Sequence, residues 1–191
     1  MKIGVLALQG AFIEHIAMLH RLGVEVVEVR LPEHLDGLDG LIIPGGESTT
    51  IGKLAEMYGL MEPLRAFAAA HPVWGTCAGM IFMAKEIGLS QPLLGLMDIV
   101  VERNAFGRQV DSFTTHVTIT GLDAPFPALF IRAPRLIEAR NGAQIIARLA
   151  DGTAVAAQEN GWLVTSFHPE LTNDPRLHQY FLSLVKQGQN V

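Results

Sequence analysis

Apolar residues form continuous runs and helix-spaced stripes in turn along the first hundred residues. The run Lys2–Leu8 is typical of a central strand in a parallel sheet, where both faces are covered. Phe12, Ile16 and Leu19 then recur at helical spacing, with His15 off that stripe. The same order of strand and helix repeats along this part of the chain. The pattern predicts right-handed crossovers and a parallel sheet with helices on both faces.

Beyond residue 90 the sequence is dominated by strand-like segments. Strands are expected at Asp98–Arg103, Ser112–Thr120, Pro127–Ile131 and Trp162–Phe167. Asp151-Gly152 lies between two further strand-like runs and indicates a hairpin turn, and Leu177–Val185 has the spacing of a helix. No repeat, low-complexity segment or linker interrupts the sequence. We therefore expect one mixed α/β domain over residues 1–191.

Composition and charge exclude several classes of partner and site. The chain has 191 residues, of which 49% are hydrophobic, so a core can form without disulfides. Fourteen Lys and Arg against nineteen Asp and Glu give a net charge of -5, which argues against nucleic acid as the main partner. A single cysteine excludes an internal disulfide and a thiolate zinc cluster, and it favours a reducing compartment. No apolar run reaches the ~18 residues of a membrane helix, so no membrane contact and a cytoplasmic location are expected.

The one cysteine lies in a turn that suits a nucleophile. Gly75–Gly79 (GTCAG) follows a short apolar strand and precedes the helical run Met80–Lys85. In this G-x-nucleophile-x-G layout a sharp strand-to-helix turn presents one side chain, here Cys77. A helix N-terminus favours a thiolate, and its N–H groups can bind an oxyanion. The alternative is a small buried hydrophobe, which describes most single cysteines; the turn favours the nucleophile.

One histidine of the seven stands at the end of a predicted strand. His168 follows the run Trp162–Phe167, and Glu170 is close enough in sequence to reach its ring. A cysteine and a histidine oriented by a carboxylate form the triad that transfers acyl groups through a thioester. The alternative is a metal site at His168 and Glu170, although no further ligands occur at recognisable spacing. The other histidines, including His15 and His178, are interpreted as solvated or hydrogen-bonded side chains.

A glycine-rich loop and two arginines complete the candidate chemistry. Pro44–Thr50 (PGGESTT) lacks the G-K-[ST] ending of a phosphate-binding loop. It suits either an oxyanion-binding loop or a tight turn with an N-cap at Ser48 or Thr49. Arg103 and Arg132 each follow an apolar strand and can bind the carboxylate of an amino-acid substrate bidentately. Taken singly, each is better interpreted as an ordinary surface charge.

Together these motifs resemble the class I (triad) glutamine amidotransferases and, within them, the glutaminase subunits of pyridoxal 5'-phosphate synthases. The resemblance spans nearly the whole chain, and its motifs occur in order. They are Leu8–Gly10, Pro44–Thr50, Gly75–Gly79, Val101–Phe113, Phe130–Pro134 and Ser166–Thr172. Many class I members carry glutamine at the position of Met80. An aliphatic residue at this position is similar to this subfamily. The resemblance implies a three-layer, flavodoxin-like fold with a mostly parallel, mixed central sheet.

The resemblance also implies roles for individual residues. Cys77 would be the nucleophile, His168 the base and then the acid, and Glu170 the orienting carboxylate. Backbone N–H groups of Gly46 and Ala78 would bind the oxyanion, and Gln9 would lie nearby, at the face that meets the synthase. No cofactor and no metal are implied. The residues matching family positions that contact glutamine are Gly46, Glu47, Ser48, Arg103, Ile131 and Arg132.

A partner is expected because ammonia is mostly protonated at neutral pH and needs a sheltered route to its acceptor. The resemblance implies a (β/α)8-barrel synthase subunit in a large hetero-oligomer. That subunit would build pyridoxal 5'-phosphate from ribose 5-phosphate and glyceraldehyde 3-phosphate. Two alternatives remain open from the sequence: another cysteine hydrolase of this architecture, peptidase-like or deglycase-like, and an interaction module whose triad is vestigial.

Overall fold

Residues 1–103 and 112–188 are described by the computed structural model, and the central part of the Val101–Phe113 motif lies outside these ranges. Short 3-10 helices occur at Pro32–Leu35 and Pro169–Leu171. The strands and α-helices, in chain order, are β1 (Lys2–Leu6), α1 (Phe12–Arg21), β2 (Glu25–Val29), β3 (Gly40–Ile43), α2 (Ser48–Met57), α3 (Met61–Ala70), β4 (Val73–Thr76), α4 (Ala78–Met83), β5 (Ala84–Glu86), β6 (Met97–Glu102), β7 (Ser112–Val117), β8 (Phe126–Ile131), β9 (Arg135–Ala139), β10 (Gln144–Arg148), β11 (Ala154–Glu159), β12 (Trp162–Thr165) and α5 (Arg176–Gly188).

The large sheet has a parallel centre and an antiparallel extension. Its strand order is β2-β1-β3-β4-β12-β11-β9-β6-β5, with β10 paired to β11. In this order the first five strands, β2, β1, β3, β4 and β12, are parallel to one another. The next three, β11, β9 and β6, each pair antiparallel with the strand before them. A separate antiparallel hairpin is formed by β7 and β8. The β10–β11 pair carries the hairpin that Asp151-Gly152 predicts.

Side chains of the central strands alternate between two apolar layers. Ile42, Trp74 and Leu163 face a cluster that includes residues of α1, α5 and the β7–β8 hairpin. Ile43 and Val164 face the opposite cluster, which contains residues of α2, α3 and α4. Continuous burial on both faces explains why these strands read as unbroken apolar runs. The predicted α/β fold with a mixed, mostly parallel sheet between two covering layers is confirmed.

The parallel strands bring four sequence motifs to one edge of the sheet. Strands β1, β3, β4 and β12 are neighbours, and their carboxyl ends point the same way. Gln9, Gly45, Cys77 and His168 follow these four strands in that order. Ligands in open α/β sheets bind outside the carboxyl ends of the strands, so this edge is where a site is expected.

Two local expectations differ from the structure. The helix after Cys77 begins at Ala78 and ends at Met83, because Ala84 takes an extended conformation and starts β5. The apolar run Met80–Lys85 therefore contains the end of a short helix and the start of an edge strand. His15 is fully buried rather than off the apolar stripe, because the ring contacts Trp74 and His178 beneath α1.

Candidate active site

The turn that carries Cys77 is tight and its backbone is strained. Cys77 has φ 49° and ψ -104°, and residues other than glycine rarely adopt a positive φ. Its backbone N–H donates to Thr165 O at 2.8 Å, which ties the turn to β12. A Cβ on Gly79 would overlap the carbonyl oxygen of Ile43, and one on Gly75 would lie 2.6 Å from backbone atoms of Gly79. Both glycines of the motif are therefore required by close backbone packing.

His168 and Glu170 form a buried pair just beyond β12. The His168 backbone N–H donates to Leu129 O at 2.8 Å, and Nδ1 lies 2.6 Å from Glu170 Oε1. The short helix Pro169–Leu171 begins directly after His168 and contains Glu170, which is buried. The Glu170 side chain is fully buried, with the imidazole between it and the cavity. A buried carboxylate this close fixes the ring orientation and stabilises a positive charge on it.

Gly45 brings the glycine-rich loop against both reactive side chains. A Cβ on Gly45 would overlap Cε1 of His168 and lie 3.2 Å from Cβ of Cys77. The sulfur of Cys77 is 4.0 Å from the carbonyl oxygen of Ile131. The loop, the thiol and the imidazole therefore share one small space, and only glycine fits at position 45.

The electrostatics of the cluster favour a protonated imidazole at neutral pH. Burial alone would lower the pKa of His168. Hydrogen bonds to Cys77 and Glu170, together with their negative charges, outweigh burial and raise this pKa to about 10. The arrangement therefore places an imidazolium beside the thiol of Cys77, which is the partner that cysteine–histidine enzymes use for thiol attack.

A cavity of about 470 Å³ opens in front of the thiol. Its size is within the range of small-molecule sites. Every residue that the sequence predicts for the site lines this cavity, apart from Glu170, which lies behind the imidazole. These lining residues are Gln9, Gly46, Glu47, Ser48, Cys77, Ala78, Arg103, Ile131, Arg132 and His168.

Glu47, rather than Ser48 or Thr49, is the N-cap of α2. Its carboxylate accepts the N–H groups of Thr49 at 3.2 Å and of Thr50 at 2.8 Å. Burial is the largest single effect and would raise the pKa of Glu47, but these bonds and the Thr50 hydroxyl together outweigh it and lower the pKa to about 2. The cap expected from sequence was therefore wrong by one or two residues, because the longer carboxylate reaches two N–H groups at once.

Arg103 forms one wall of the cavity and is held by three side chains. Its Nη2 lies 3.0 Å from Glu47 Oε1, and its Nη1 donates to Gln91 Oε1 at 2.9 Å and Thr49 Oγ1 at 3.2 Å. The Ser48 hydroxyl also donates to Gln91, at 3.4 Å. The guanidinium thus links the segment after β6 to the start of α2 and faces the cavity from that position.

Ile131 and Arg132 contribute the opposite wall. Arg132 has φ 41°, a strained value for a residue with a side chain, and it follows β8 directly. The residue is exposed and lines the cavity, so its guanidinium is accessible to an anionic ligand.

The loop between β3 and α2 is held from beneath by Gln9. The Glu47 N–H donates to Gln9 Oε1 at 2.7 Å, and the same oxygen lies close to Gly46. Ala78 is the first residue of α4 and directly follows Cys77, so its N–H points out of the first helical turn. Two backbone segments therefore border the thiol on the side where an oxyanion would form.

Sequence reasoning did not identify several residues at this site. Gln91 gives no motif, because its role depends on a loop that folds back over α2. The burial of His15 and His178 behind Glu170 depends on how α1 and α5 pack, which no local pattern reports.

This arrangement is that of a cysteine-dependent acyl-transfer enzyme. It combines a thiol in a strand-to-helix turn, an imidazole paired with a buried carboxylate, and an adjoining cavity. Over residues 1–103 and 112–188, no group of three or more His, Cys, Asp or Glu side chains is arranged to bind a metal ion. Within the same ranges no helix is long and apolar enough to cross a membrane.

Comparison with known proteins identifies the family. The SNO glutamine amidotransferase family matches residues 5–187, and the chain belongs to it. A relative from Dehalococcoides mccartyi, named pyridoxal 5'-phosphate synthase subunit PdxT, is 58% identical over 192 residues, covering 97% of this chain and 98% of the relative. A relative of the same name from Geobacillus kaustophilus is 54% identical, covering 99% and 97%. A crystal structure of a glutamine amidotransferase superposes with a TM-score of 0.92 at 52% identity, covering 96% and 98%.

Proposed function

We propose that the chain is the glutaminase subunit of a pyridoxal 5'-phosphate synthase. It hydrolyses L-glutamine to L-glutamate and ammonia through Cys77, His168 and Glu170, within a single glutaminase domain over residues 1–191. The observation that carries the proposal is the cluster in which Cys77 and His168 pack against Gly45 and His168 Nδ1 lies 2.6 Å from the buried Glu170 carboxylate, in a chain of a glutamine amidotransferase family. The names of the relatives support the synthase assignment.

In the first half-reaction the Cys77 thiolate attacks the carboxamide carbon of glutamine. The carbonyl oxygen becomes an oxyanion, bound by the N–H groups of Gly46 and Ala78. The His168 imidazolium gives its proton to the amide nitrogen, the carbon–nitrogen bond breaks, and ammonia leaves. A γ-glutamyl thioester on Cys77 and a neutral imidazole remain.

Water completes the reaction in the second half. Neutral His168 takes a proton from water as the oxygen attacks the thioester carbon. The tetrahedral intermediate expels the Cys77 thiolate, and glutamate leaves. The imidazolium and the thiolate are restored, so Glu170 stabilises the same charged ring at the start of each turnover.

Glutamine is recognised by the charged walls of the cavity. The Arg132 guanidinium pairs with the α-carboxylate of the substrate, because a guanidinium binds carboxylates bidentately. Arg103 is already bound to Glu47 and contributes mainly by holding the wall in place. Gly46, Ser48 and Ile131 shape the space for the side-chain amide.

Ammonia passes to a (β/α)8-barrel synthase subunit in a hetero-oligomer located in the cytoplasm. That subunit combines it with ribose 5-phosphate and glyceraldehyde 3-phosphate to make pyridoxal 5'-phosphate. Gln9 lies under the loop that carries Gly46, so a partner that contacts Gln9 would also align the oxyanion site.

Glutamine hydrolysis by the chain together with the barrel subunit tests this proposal. We expect equal amounts of glutamate and ammonia from the wild-type complex, substantially less from the chain alone, and none from the Cys77→Ala complex. Hydrolysis of a peptide or a glycated substrate without hydrolysis of glutamine would support the alternative cysteine hydrolase instead. Absence of any turnover in the wild-type complex would support a vestigial triad.

A further inference from the structure

A pair of buried histidines lies directly behind Glu170. His15 in α1 and His178 in α5 are both fully buried, and His15 Nδ1 is 2.9 Å from His178 Nε2. Trp74 packs its ring against both imidazoles, with centroids 5.6 and 4.9 Å away. Neither histidine lines the cavity in front of Cys77. A hydrogen-bonded imidazole pair in an apolar layer is costly to bury unless its polar atoms are used.

The second nitrogen of His15 faces the triad. His15 Nε2 lies 3.4 Å from Glu170 Oε2 and 3.2 Å from Thr76 Oγ1. Glu170 Oε1 accepts from His168, whereas the buried Oε2 has no regular hydrogen-bond partner among the described residues; His15 Nε2 lies 3.4 Å from it without the geometry of a hydrogen bond. A buried carboxylate oxygen needs a donor, and the His15 nitrogen is the group that faces it.

The proton positions of the two rings are decided by the surroundings of the two outer nitrogens, His15 Nε2 beside Glu170 and the buried His178 Nδ1. Burial keeps both rings neutral, since it lowers the pKa of His15 and of His178. Each ring then has one N–H, and the 2.9 Å bond between them allows two arrangements. In the first, His178 Nε2–H donates to His15 Nδ1, and the proton on His15 Nε2 is available to Thr76 Oγ1 at 3.2 Å and to Glu170 Oε2 at 3.4 Å.

The second arrangement is unfavourable at both ends. His15 Nδ1–H would donate to His178, which leaves the lone pair of His15 Nε2 3.4 Å from the carboxylate oxygen of Glu170, and the Thr76 hydroxyl would have to turn its proton toward that lone pair. His178 would then carry its proton on Nδ1, a buried atom without a hydrogen-bond partner among the described residues. In folded proteins a buried N–H without a partner is rarer than a buried acceptor with an unused lone pair. The first arrangement avoids both penalties.

We propose that His15 is a positioning residue of the triad, which donates its Nε2–H to Glu170 Oε2 in a tautomer fixed by His178. Glu170 is thereby held with Oε1 on His168 and Oε2 on His15. The charged or titratable groups that face His15 are Glu170, His168 and His178, while Thr76 and Trp74 are its neutral neighbours. The catalytic consequence rests on the proposed glutaminase function; the tautomer and the orientation of Glu170 do not.

Nitrogen NMR of the histidine-labelled chain tests the tautomer directly. We expect His15 and His178 each to show a protonated Nε2 and an unprotonated Nδ1 at neutral pH. Assignment follows from the loss of one signal set in His15→Phe and the other in His178→Phe. A proton on Nδ1 of His15 would overturn the proposal.

Alkylation of Cys77 by iodoacetamide, followed against pH, tests the effect on the triad. The chain has one cysteine, so the reagent reports that thiol alone. His15→Phe keeps a ring but removes the donor, and it should move the rise of the alkylation rate to higher pH. His15→Gln can place an amide N–H near the position of Nε2, and it should restore much of the wild-type profile. An unchanged profile in His15→Phe would overturn the proposal.

Glutaminase kinetics with the barrel subunit complete the test. His15→Phe should lower kcat by about tenfold or more, as expected for one lost hydrogen bond to a charged group, with KM for glutamine little changed. His178→Phe should lower kcat less, and it should add nothing in the His15→Phe background. Leu177→Ala is the matched control, because it removes buried side-chain volume from the same apolar cluster and leaves both imidazoles in the sequence.

An equal loss of kcat in Leu177→Ala would reduce His15 to a structural role and overturn the proposal. Should the wild-type complex fail to hydrolyse glutamine while the tautomers and the alkylation profiles are as expected, the proposed function fails and the positioning role of His15 stands.

Discussion

The buried histidines should make the protein lose stability as the pH falls below 6.5. Burial lowers the pKa of His178 to about 3, and burial and the nearby His178 lower that of His15 in the same direction. The unfolded chain takes up a proton at each of these sites near pH 6.5, whereas the folded chain does not. The free energy of unfolding therefore falls as the pH is lowered from 6.5 toward the folded-state values.

The size of the effect follows from linkage between protonation and folding. For His178 alone, moving from pH 6.5 to about pH 5 lowers the free energy of unfolding by about 1.5 kcal/mol. His168 does not contribute in this window: its pKa is raised to about 10, so its stabilisation is complete below pH 6.5 and is lost only toward pH 10. Glu47, with its pKa lowered to about 2, adds a loss of stability mainly below pH 4.5.

Urea denaturation at pH 6.5 and at pH 5 measures this difference. The wild-type chain should lose about 1.5 kcal/mol or more between the two conditions, and His178→Phe should lose less. His20→Gln is the matched control, because it removes an exposed histidine of α1 and should leave the difference unchanged. A wild-type stability that is the same at both pH values would refute the reasoning, as would an equal decline in His178→Phe.

Three further outcomes concern the active site. His168→Asn should abolish glutamine hydrolysis by the complex, whereas Glu170→Gln should retain measurable kcat, because Glu170 orients and stabilises the ring without touching substrate; equal losses in the two variants would contradict these roles. Arg132→Ala should raise KM for glutamine by about tenfold or more, because one charge-assisted hydrogen bond to the substrate is lost, and it should leave the thermal unfolding temperature unchanged. A KM equal to that of the wild type would show that Arg132 is only a surface charge. Gly79→Ala should give little folded protein by circular dichroism, since its Cβ would overlap the Ile43 carbonyl, and a fully active variant would show that the turn can relax.

Local patterns predicted most of the strands, the Asp151-Gly152 turn and most of the residues around the cavity, but they missed β9 and placed the start of β5 in a helix. The apolar runs become strands because both sheet faces are covered, and Gly75 and Gly79 identify the turn at Cys77 because backbone packing forbids a Cβ there. His168 was recognised because it follows the apolar run Trp162–Phe167 and has Glu170 two residues further on. The sequence order alone does not say that β12 lies beside β4, although this pairing brings His168 to Cys77.

The remaining features depend on contacts between distant segments. Ser48 and Thr49 have strong N-cap propensity, yet Glu47 caps α2 because its longer side chain reaches two N–H groups and also pairs with Arg103. His15 was interpreted as a polar residue off the apolar stripe, and it is buried because His178 and Thr76 satisfy its ring. Packing of α1 against α5 decides that position, and no periodicity within α1 contains this information.

The central claim is that this chain supplies ammonia through a thioester on Cys77. It is tested most directly by pyridoxal 5'-phosphate formation in a complex of the Cys77→Ala chain with the barrel subunit, with glutamine and ammonium salt supplied in turn. We predict no product with glutamine and full activity with ammonium, since the chain has no other thiol and the barrel needs only ammonia. Product formation from glutamine by the Cys77→Ala complex would contradict the account.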